Sequence, residues 1–561
     1  MAESSAPCGR HGAYLRIDLA TGRATPVPIP ADVARRFVGG VGLGTWICLS
    51  EGGAETDALA PDAPLVFCLS PFVGTPLTTS AKFAVVGRSP LTGFLSDAIS
   101  SSHFAIAAKR AGFDAYVLKG RAPRLARLVV DDGRVEVRDA THLAGLSAGE
   151  CELDGFRTAA IGAAGERLVR YATITNDGRH AGRGGLGTVM GAKNLKAFSI
   201  RGQRETELAD ARGVVAAARD LSEKSLGPAT AKYRELGTIA NVAVFNRLNA
   251  LPTRNFTAQS FEDAPQISAE VLHEQNRIGR ASCAACTIGC EHVFQPRGGR
   301  PVRLEYETLY ALGALLGIGD RAAVLEAAAV CDRWGMDTIS AGGTLAFAME
   351  AELSNLRFGD AAGVLAALES IATRTGDGDL LAEGSRRAAE RVGRPELAMH
   401  VKGLEIPGYD PRRLPAMALG FAVGTRGADH NRSGAYEVDF SAEAFDIARV
   451  LDVENRSAAM DSLILCKFLR GVFADFAREG SELLRLVTGD VVDLDRAGRD
   501  ICDLRKVFNV RAGWRREDDT LPTRLLQGEL SGEKLADMIL SYYRARGWTD
   551  DGLVPESSPG G

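Results

Sequence analysis

The sequence predicts an α+β protein: a β-rich N-terminal domain followed by two mainly α-helical domains. Three observations carry this expectation. Residues 1–205 are rich in Gly, Thr and Val and hold short apolar runs bounded by turn signals. From about residue 206, apolar residues recur at helical spacing, most clearly over 321–331 and 360–373. A stretch containing Gly and Pro at 403–412 interrupts that texture before it resumes toward the C-terminus. The expected division is 1–205, 206–412 and 413–561. A chain of 561 residues has room for about two to four such units.

In the first part, strands are expected over 64–69, 83–86, 115–118 and 125–130. The pair Asp132-Gly133 and the triplet Asn176-Asp177-Gly178 read as tight turns between them. The segment 208–212 opens the helical part. No internal repeat or low-complexity block interrupts it.

Composition narrows the function classes. A net charge of −5 gives no general reason to expect nucleic acid as a partner. No apolar run approaches the roughly 18 residues of a membrane span, so no membrane partner is expected. The start of the chain has neither a basic segment nor an apolar core, so no secretory leader is expected. The tail after Gly552 is expected to fray. Of 10 cysteines, Cys8, Cys48, Cys68, Cys151, Cys331 and Cys502 stand singly among mostly apolar neighbours and read as buried free thiols. Free thiols without a leader point to a reducing cytoplasm.

Cys283, Cys286 and Cys290 break the pattern, with C-x2-C-x3-C spacing on a short loop expected between polar, helix-like stretches. Close spacing lets one loop bring several thiolates to a small inorganic core. The rival reading is a zinc site, for which the nearby candidate is His292. A cubane cluster needs a fourth thiolate. Cys466 is the foremost candidate, and Cys331 and Cys502 compete with it.

Cys466 lies in a segment that echoes another. Asp332-Arg333-Trp334-Gly335-Met336-Asp337 and Asp461-Ser462-Leu463-Ile464-Leu465-Cys466 share an acidic-to-apolar pattern. They read either as related elements gripping related ligands or as ordinary helix-end chemistry. In the N-terminal part, Arg179 and Arg183 flank a glycine-rich turn. Backbone N–H groups and guanidiniums there could bind phosphate, or the arginines could simply be solvated.

Together these segments resemble the tungsten-dependent aldehyde ferredoxin oxidoreductases. The resemblance runs in order from about residue 10 to about 545. It includes Ser89 to Gly93, Arg179 to Gly191, the cysteine triad and Glu305-Tyr306-Glu307-Thr308. It also includes both aspartate motifs, Thr425-Arg426-Gly427-Ala428-Asp429-His430, Phe508-Asn509-Val510-Arg511 and Asp518-Asp519-Thr520-Leu521-Pro522.

The resemblance implies a tungsten held by the dithiolenes of two pterins (tungstopterin), with Mg²⁺ bridging their phosphates and a [4Fe–4S] cluster nearby. On it, 1–205 is the cofactor-binding domain. The cluster ligands fall on Cys283, Cys286, Cys290 and Cys466. Pterin contacts fall on Asp332, Met336, Asp337, Asp461 and Leu465. Arg179, Gly182 and Arg183 match phosphate- and pterin-contacting positions, and Arg426 and Arg432 match basic positions beside the active site. Lys82 stands where the family often has Arg. Glu307 and His430 align with the acid–base pair, Glu305 being the rival carboxylate.

Some positions depart from the family pattern. Ile464 stands where the second aspartate motif usually has Gly. Ile99 and Ser101 stand where a pterin-contact loop often has Asn and Gly. Glu326 is followed by Ala329, so the E-x-x-H interface metal of some dimeric relatives is not expected.

The implied activity is oxidation of an aldehyde and water to a carboxylate. Electrons would pass to ferredoxin or to an iron–sulfur partner subunit, in a homo-oligomer or a larger complex. The alternatives are reduction of an aromatic acyl-CoA or a carboxylic acid within such a complex, and an iron–sulfur electron-transfer subunit without tungsten.

Overall fold

The structure is a computed structural model that describes residues 7–296 and 299–555. The start of the chain, read for a leader, and the tail from residue 556 lie outside the described residues.

Twelve strands precede residue 202: β1 (Ala13–Asp18), β2 (Ala24–Pro28), β3 (Leu65–Cys68), β4 (Lys82–Arg88), β5 (Leu95–Ser101), β6 (Ala115–Lys119), β7 (Ala126–Asp131), β8 (Arg134–Asp139), β9 (Arg157–Ala160), β10 (Ile174–Asn176), β11 (Arg179–Ala181) and β12 (Leu195–Arg201). They form two six-stranded mixed sheets, ordered β2-β1-β6-β3-β4-β5 and β11-β10-β9-β12-β7-β8. All four expected strands are present. The two turn signals close the β7–β8 and β10–β11 hairpins, with positive φ at Asp132 and Gly133 and at Asp177 and Gly178.

Alternation along the strands sets the layers. In β3, Leu65 and Phe67 face the core between the sheets, whereas Val66 and Cys68 face the other way. The inter-sheet core holds Phe67, Phe83, Phe104 and Phe198, with neighbouring ring centroids 4.9 to 6.1 Å apart. On the opposite face of the first sheet lie helix Gly40–Ser50 and, from the far end of the chain, helix Leu494–Arg511. After helix Ala211–Lys224 the chain is mainly helical, and one apolar core runs through both helical parts.

The cysteine loop departs from expectation. It joins two antiparallel strands, Arg277–Ala281 and Glu291–Phe294, in a three-stranded sheet completed by Val302–Leu304. Polar, unpatterned sequence on both sides hid these short strands. Residues 97–101 are likewise part of strand β5 rather than a loop, and Asn176 Nδ2 donates to Ser100 Oγ at 2.8 Å. The 403–412 stretch contains strand Leu404–Glu405, paired with His400–Val401. Cys8 is half-buried, while the other five single cysteines are buried as expected.

The two aspartate motifs are one local structure made twice. Helix Arg321–Trp334 ends on Gly335 at φ 76°, and helix Ile447–Leu463 ends on Ile464 at φ 63°. The Met336 N–H then returns to Cys331 O at 2.9 Å, and the Leu465 N–H to Met460 O at 3.0 Å. Glycine adopts this left-handed conformation at no steric cost. A β-branched residue does so at a cost of about 1–2 kcal/mol, which the burial of the Ile464 side chain against Gly40 offsets.

Each motif docks on the N-terminal part. Thr173 N–H donates to Gly335 O (2.9 Å) and Asp337 N–H to Tyr171 O (3.0 Å). In the second motif, Gly42 N–H donates to Ser462 Oγ (3.0 Å) and Ser70 Oγ to Leu463 O (2.7 Å). A glycine admits each helix end: a Cβ on Gly162 would lie 2.1 Å from Trp334 O, and one on Gly40 2.5 Å from Asp461 O. Gly162→Ala and Gly40→Ala are each expected to destabilise the fold by about 1–3 kcal/mol through forced backbone shifts. Denaturant unfolding checks this, and wild-type midpoints would show that these contacts yield freely.

Candidate cofactor chamber and redox site

The cysteine loop and the second aspartate motif meet at Thr78 and Thr79. The Thr79 N–H donates to Ala285 O at 2.6 Å, and the Cys466 N–H donates to Thr79 Oγ1 at 3.2 Å. Thr78 Oγ1 accepts from Thr287 N–H at 3.0 Å. This staple brings Cys466 to the triad. Burial, and then Cys466, Glu305, Cys283 and Cys286, push the Cys290 thiol up. Burial works to lower the Lys82 ammonium, but Cys466, Cys283, Cys286 and Cys290 together hold it above its ordinary value. The four thiols thus lie in one neighbourhood, near enough to act on one another and on Lys82.

Cys331 and Cys502 are packed into separate apolar cores. Among the described residues, no three His, Cys, Asp or Glu side chains converge closely enough for a single ion. His292 is taken up elsewhere, stacked on His273 at 4.7 Å with Nε2 3.4 Å from Tyr233 O.

A polar chamber adjoins this space. Arg183 Nη1 donates to Ala428 O (2.7 Å), and its Nε stands 3.5 Å from Asp337 Oδ2. Arg426 pairs with Asp429 at 3.0 Å and donates to Arg183 O at 2.9 Å. Arg432 pairs with Asp97 and, at 3.2 Å, with Asp461, which also pairs with Lys467 at 3.2 Å. Burial lowers Lys467 to about 8, Asp461 opposing it. Arg179 pairs with Glu291. Asp332 faces His180 Nε2 at 3.2 Å, at the edge of a 390 Å³ cavity that also receives Arg300, Arg303 and Arg333. The wider 730 Å³ groove beside helix His103–Arg110 holds none of these residues.

Glu307, in the first turn of helix Tyr306–Leu312, faces His430 across 3.4 Å between Oε1 and Nδ1. The Gly408 N–H donates to the other Glu307 oxygen at 3.0 Å, and Tyr409 stacks on His430 at 4.8 Å. Burial pushes Glu307 up to about 8, against Gly408 and Arg183. Burial brings His430 down to about 4, against the Asp429 carboxylate. Both shifts favour neutral forms, so near pH 7 the pair is a carboxylic acid beside a neutral imidazole. Glu305 points elsewhere. Burial raises its pKa, and the charges acting on it are Arg179, Glu291, Lys82 and His180.

Two features show that the chamber has room for a polar ligand. A Cβ on Gly182 would meet nothing within 4 Å. Among the described residues, buried polar atoms of Ser96, Ser101, Asn176, Arg426 and Arg505 have no hydrogen-bond partner. Guanidiniums suit phosphates, and carboxylates suit the amino and ring N–H groups of a pterin, so this donor set fits a phosphorylated pterin.

Sequence reasoning overlooked Thr78, Thr79, Tyr409, Lys467 and Glu291. Glu291 directly follows Cys290 and Lys467 directly follows Cys466, so adjacency could have flagged both. No local signal marks the two threonines or Tyr409.

Comparison with known proteins agrees over nearly the whole chain. The family described as aldehyde ferredoxin oxidoreductase, N-terminal domain, matches residues 14–202, and that described as domains 2 & 3 matches 215–558. The chain is 36% identical to the tungsten-containing aldehyde ferredoxin oxidoreductase of Pyrococcus furiosus, over 98% of each chain. Identity to the protein of the same name from Thermococcus kodakarensis is also 36%, again over 98% of each. The WOR-like subunit of an aliphatic sulfonate oxidoreductase from Pyrococcus furiosus is 26% identical, over 97% of this chain and 96% of that protein. Among solved structures, the fold matches a chain of the active-site complex BamBC of benzoyl coenzyme A reductase with 1,5-dienoyl-CoA. That match has a TM-score of 0.85 and 22% identity, over 98% of this chain and 96% of that one. With each aspartate motif docked by its helix end on the N-terminal part and matches to both halves, this chain belongs to the aldehyde ferredoxin oxidoreductase family.

Proposed function

We propose that the chain oxidises aldehydes to carboxylic acids at a tungsten–bis-pterin centre and passes the electrons through a [4Fe–4S] cluster to a ferredoxin-type carrier. The observation that carries this reading is the Glu307–His430 pair, set 3.4 Å apart beside the arginine and aspartate groups of the chamber. An acid–base pair has no use in a bare electron carrier.

Asp332, Met336 and Asp337 would hold one pterin, and Asp461 and Leu465 the other. Arg179, Arg183, Arg426, Arg432 and Lys82 would meet the phosphates and their Mg²⁺, and Gly182 would leave room for close approach. Cys283, Cys286, Cys290 and Cys466 would ligate the cluster. When bound, the tungsten centre supplies the two-electron redox step. The chain's own groups supply the proton chemistry. Glu307, once ionised, accepts a proton from water or from the hydrated aldehyde. His430, neutral and held flat against Tyr409, orients the carbonyl or its hydrate. The short covalent path from Leu465 to Cys466 would put pterin contact and cluster ligand on one turn.

Elemental analysis of anaerobically purified protein tests this. One tungsten and about four irons per chain are expected, with aldehyde-dependent dye reduction. Iron without tungsten or molybdenum would favour an electron-transfer subunit, and zinc without iron would overturn the cluster. Dye reduction by no aldehyde, with activity on an aromatic acyl-CoA instead, would move the chemistry to the reductive alternative.

A further inference from the structure

The cysteine loop lies at the molecular surface, with Ser282 and Ala285 exposed. The strand leading into it, Arg277–Ala281, is an edge strand with Arg277, Ile278 and Arg280 exposed. Edge strands commonly carry charges to prevent self-association. That purpose does not explain Ile278, which keeps 56% of its surface exposed between the two arginines. Leu226, 51% exposed, is brought beside the loop by the Ser225–Thr287 hydrogen bond of 2.6 Å.

Three exposed cations, Arg277, Arg280 and Lys232, stand on this face with exposed Glu274 before the strand, on a chain whose net charge is −5. Arg280 reaches the Ile288 carbonyl at 3.2 Å, and exposed Lys232 reaches Asn241 at 2.7 Å. Both bonds are to neutral groups, so the charges stay available. On the short helix Pro228–Glu235 that carries Lys232, Glu235 is the lone acid. Beneath this rim the rings of Tyr233 and Phe468 stack at 3.9 Å and 12°. Both rings are half-buried and pack in one apolar cluster with Cys286 and Cys290, and Phe468 is two residues from Cys466.

We propose that this face docks an acidic one-electron carrier protein, with Ile278 as its apolar anchor and Arg277, Arg280 and Lys232 as its cationic rim. The assignment rests on reading the four cysteines as a redox cluster. Exposed charges around a small apolar centre suit a small, transient, salt-sensitive interface, as electron-transfer encounters are.

The test measures binding of the holoenzyme to a purified, small, acidic two-cluster ferredoxin at low and high salt. Wild-type binding should weaken with salt, and the double variant R277E/R280E should bind about tenfold or more weakly. Iron content should be unchanged. Because Arg280 touches the loop, a second double variant, K232E/I278S, leaves the loop's own contacts intact and should also weaken binding. No binding by the wild type at low salt, or wild-type affinity in both variants, overturns the proposal. Aldehyde-dependent reduction of a viologen dye is measured alongside and should be unaffected in the variants. Its absence from the wild type would strike the proposed activity and leave the binding result standing.

Discussion

Cys466→Ala is expected to fall below the wild-type iron content of about four per chain and to lose electron transfer to any protein carrier, while the fold survives. Cys283, Cys286 and Cys290 come from one loop, but Cys466, the proposed fourth ligand, comes from the helix end that carries the second aspartate motif. Thr79 holds the two parts together by accepting from the Cys466 N–H and donating to Ala285 O. Removing the thiol leaves that backbone staple in place, so the loss should be confined to the cluster. Cys331→Ala and Cys502→Ala are the controls. Both thiols sit in separate cores, so these substitutions should cost about 1 kcal/mol of stability and no iron. Iron analysis with electron paramagnetic resonance reads all three. Full iron in Cys466→Ala, or lost iron in either control, would move the fourth ligand elsewhere.

That the fourth thiol had three sequence candidates shows where reading the chain stops. Local chemistry was legible. The β3, β4, β6 and β7 runs, the Asp132-Gly133 and Asn176-Asp177-Gly178 hairpins, and both aspartate motifs follow from patterns within a few residues. The likeness of the two motifs reflects one helix-ending turn, and the left-handed φ at Ile464 shows that the backbone kept the turn without its glycine. What stayed hidden depends on long-range contacts. The pairing of Arg432 with Asp97 and Asp461 joins β5 to two helices far along the chain. The Thr78–Thr79 staple spans the N-terminal part and both helical parts. The strand leading into the cysteine loop carries no alternating pattern, because a short edge strand facing solvent has little apolar surface to bury.

Glu307→Gln and His430→Asn are each expected to keep their cofactor content yet lower turnover by about 100-fold or more, equivalent to about 3 kcal/mol of barrier. The pH profile separates their roles. Burial sets Glu307 at about 8, so below that pH it is protonated and cannot accept a proton. As pH rises toward 8 its ionised fraction grows, and turnover should climb with it. His430, lowered to about 4, is already neutral throughout this range and contributes no limb there. The rising limb should therefore vanish in Glu307→Gln and persist, at a lower plateau, in His430→Asn. Glu305→Gln should retain it, since the charges acting on Glu305 are Arg179, Glu291, Lys82 and His180 rather than His430. Measuring turnover from pH 6 to 9 with a dye acceptor, on preparations matched for metal content, decides the point. A limb that survives in Glu307→Gln but disappears in Glu305→Gln would exchange the two carboxylates. A limb present in all three variants would place the titrating group outside the pair, leaving Glu307 and His430 to act by positioning alone.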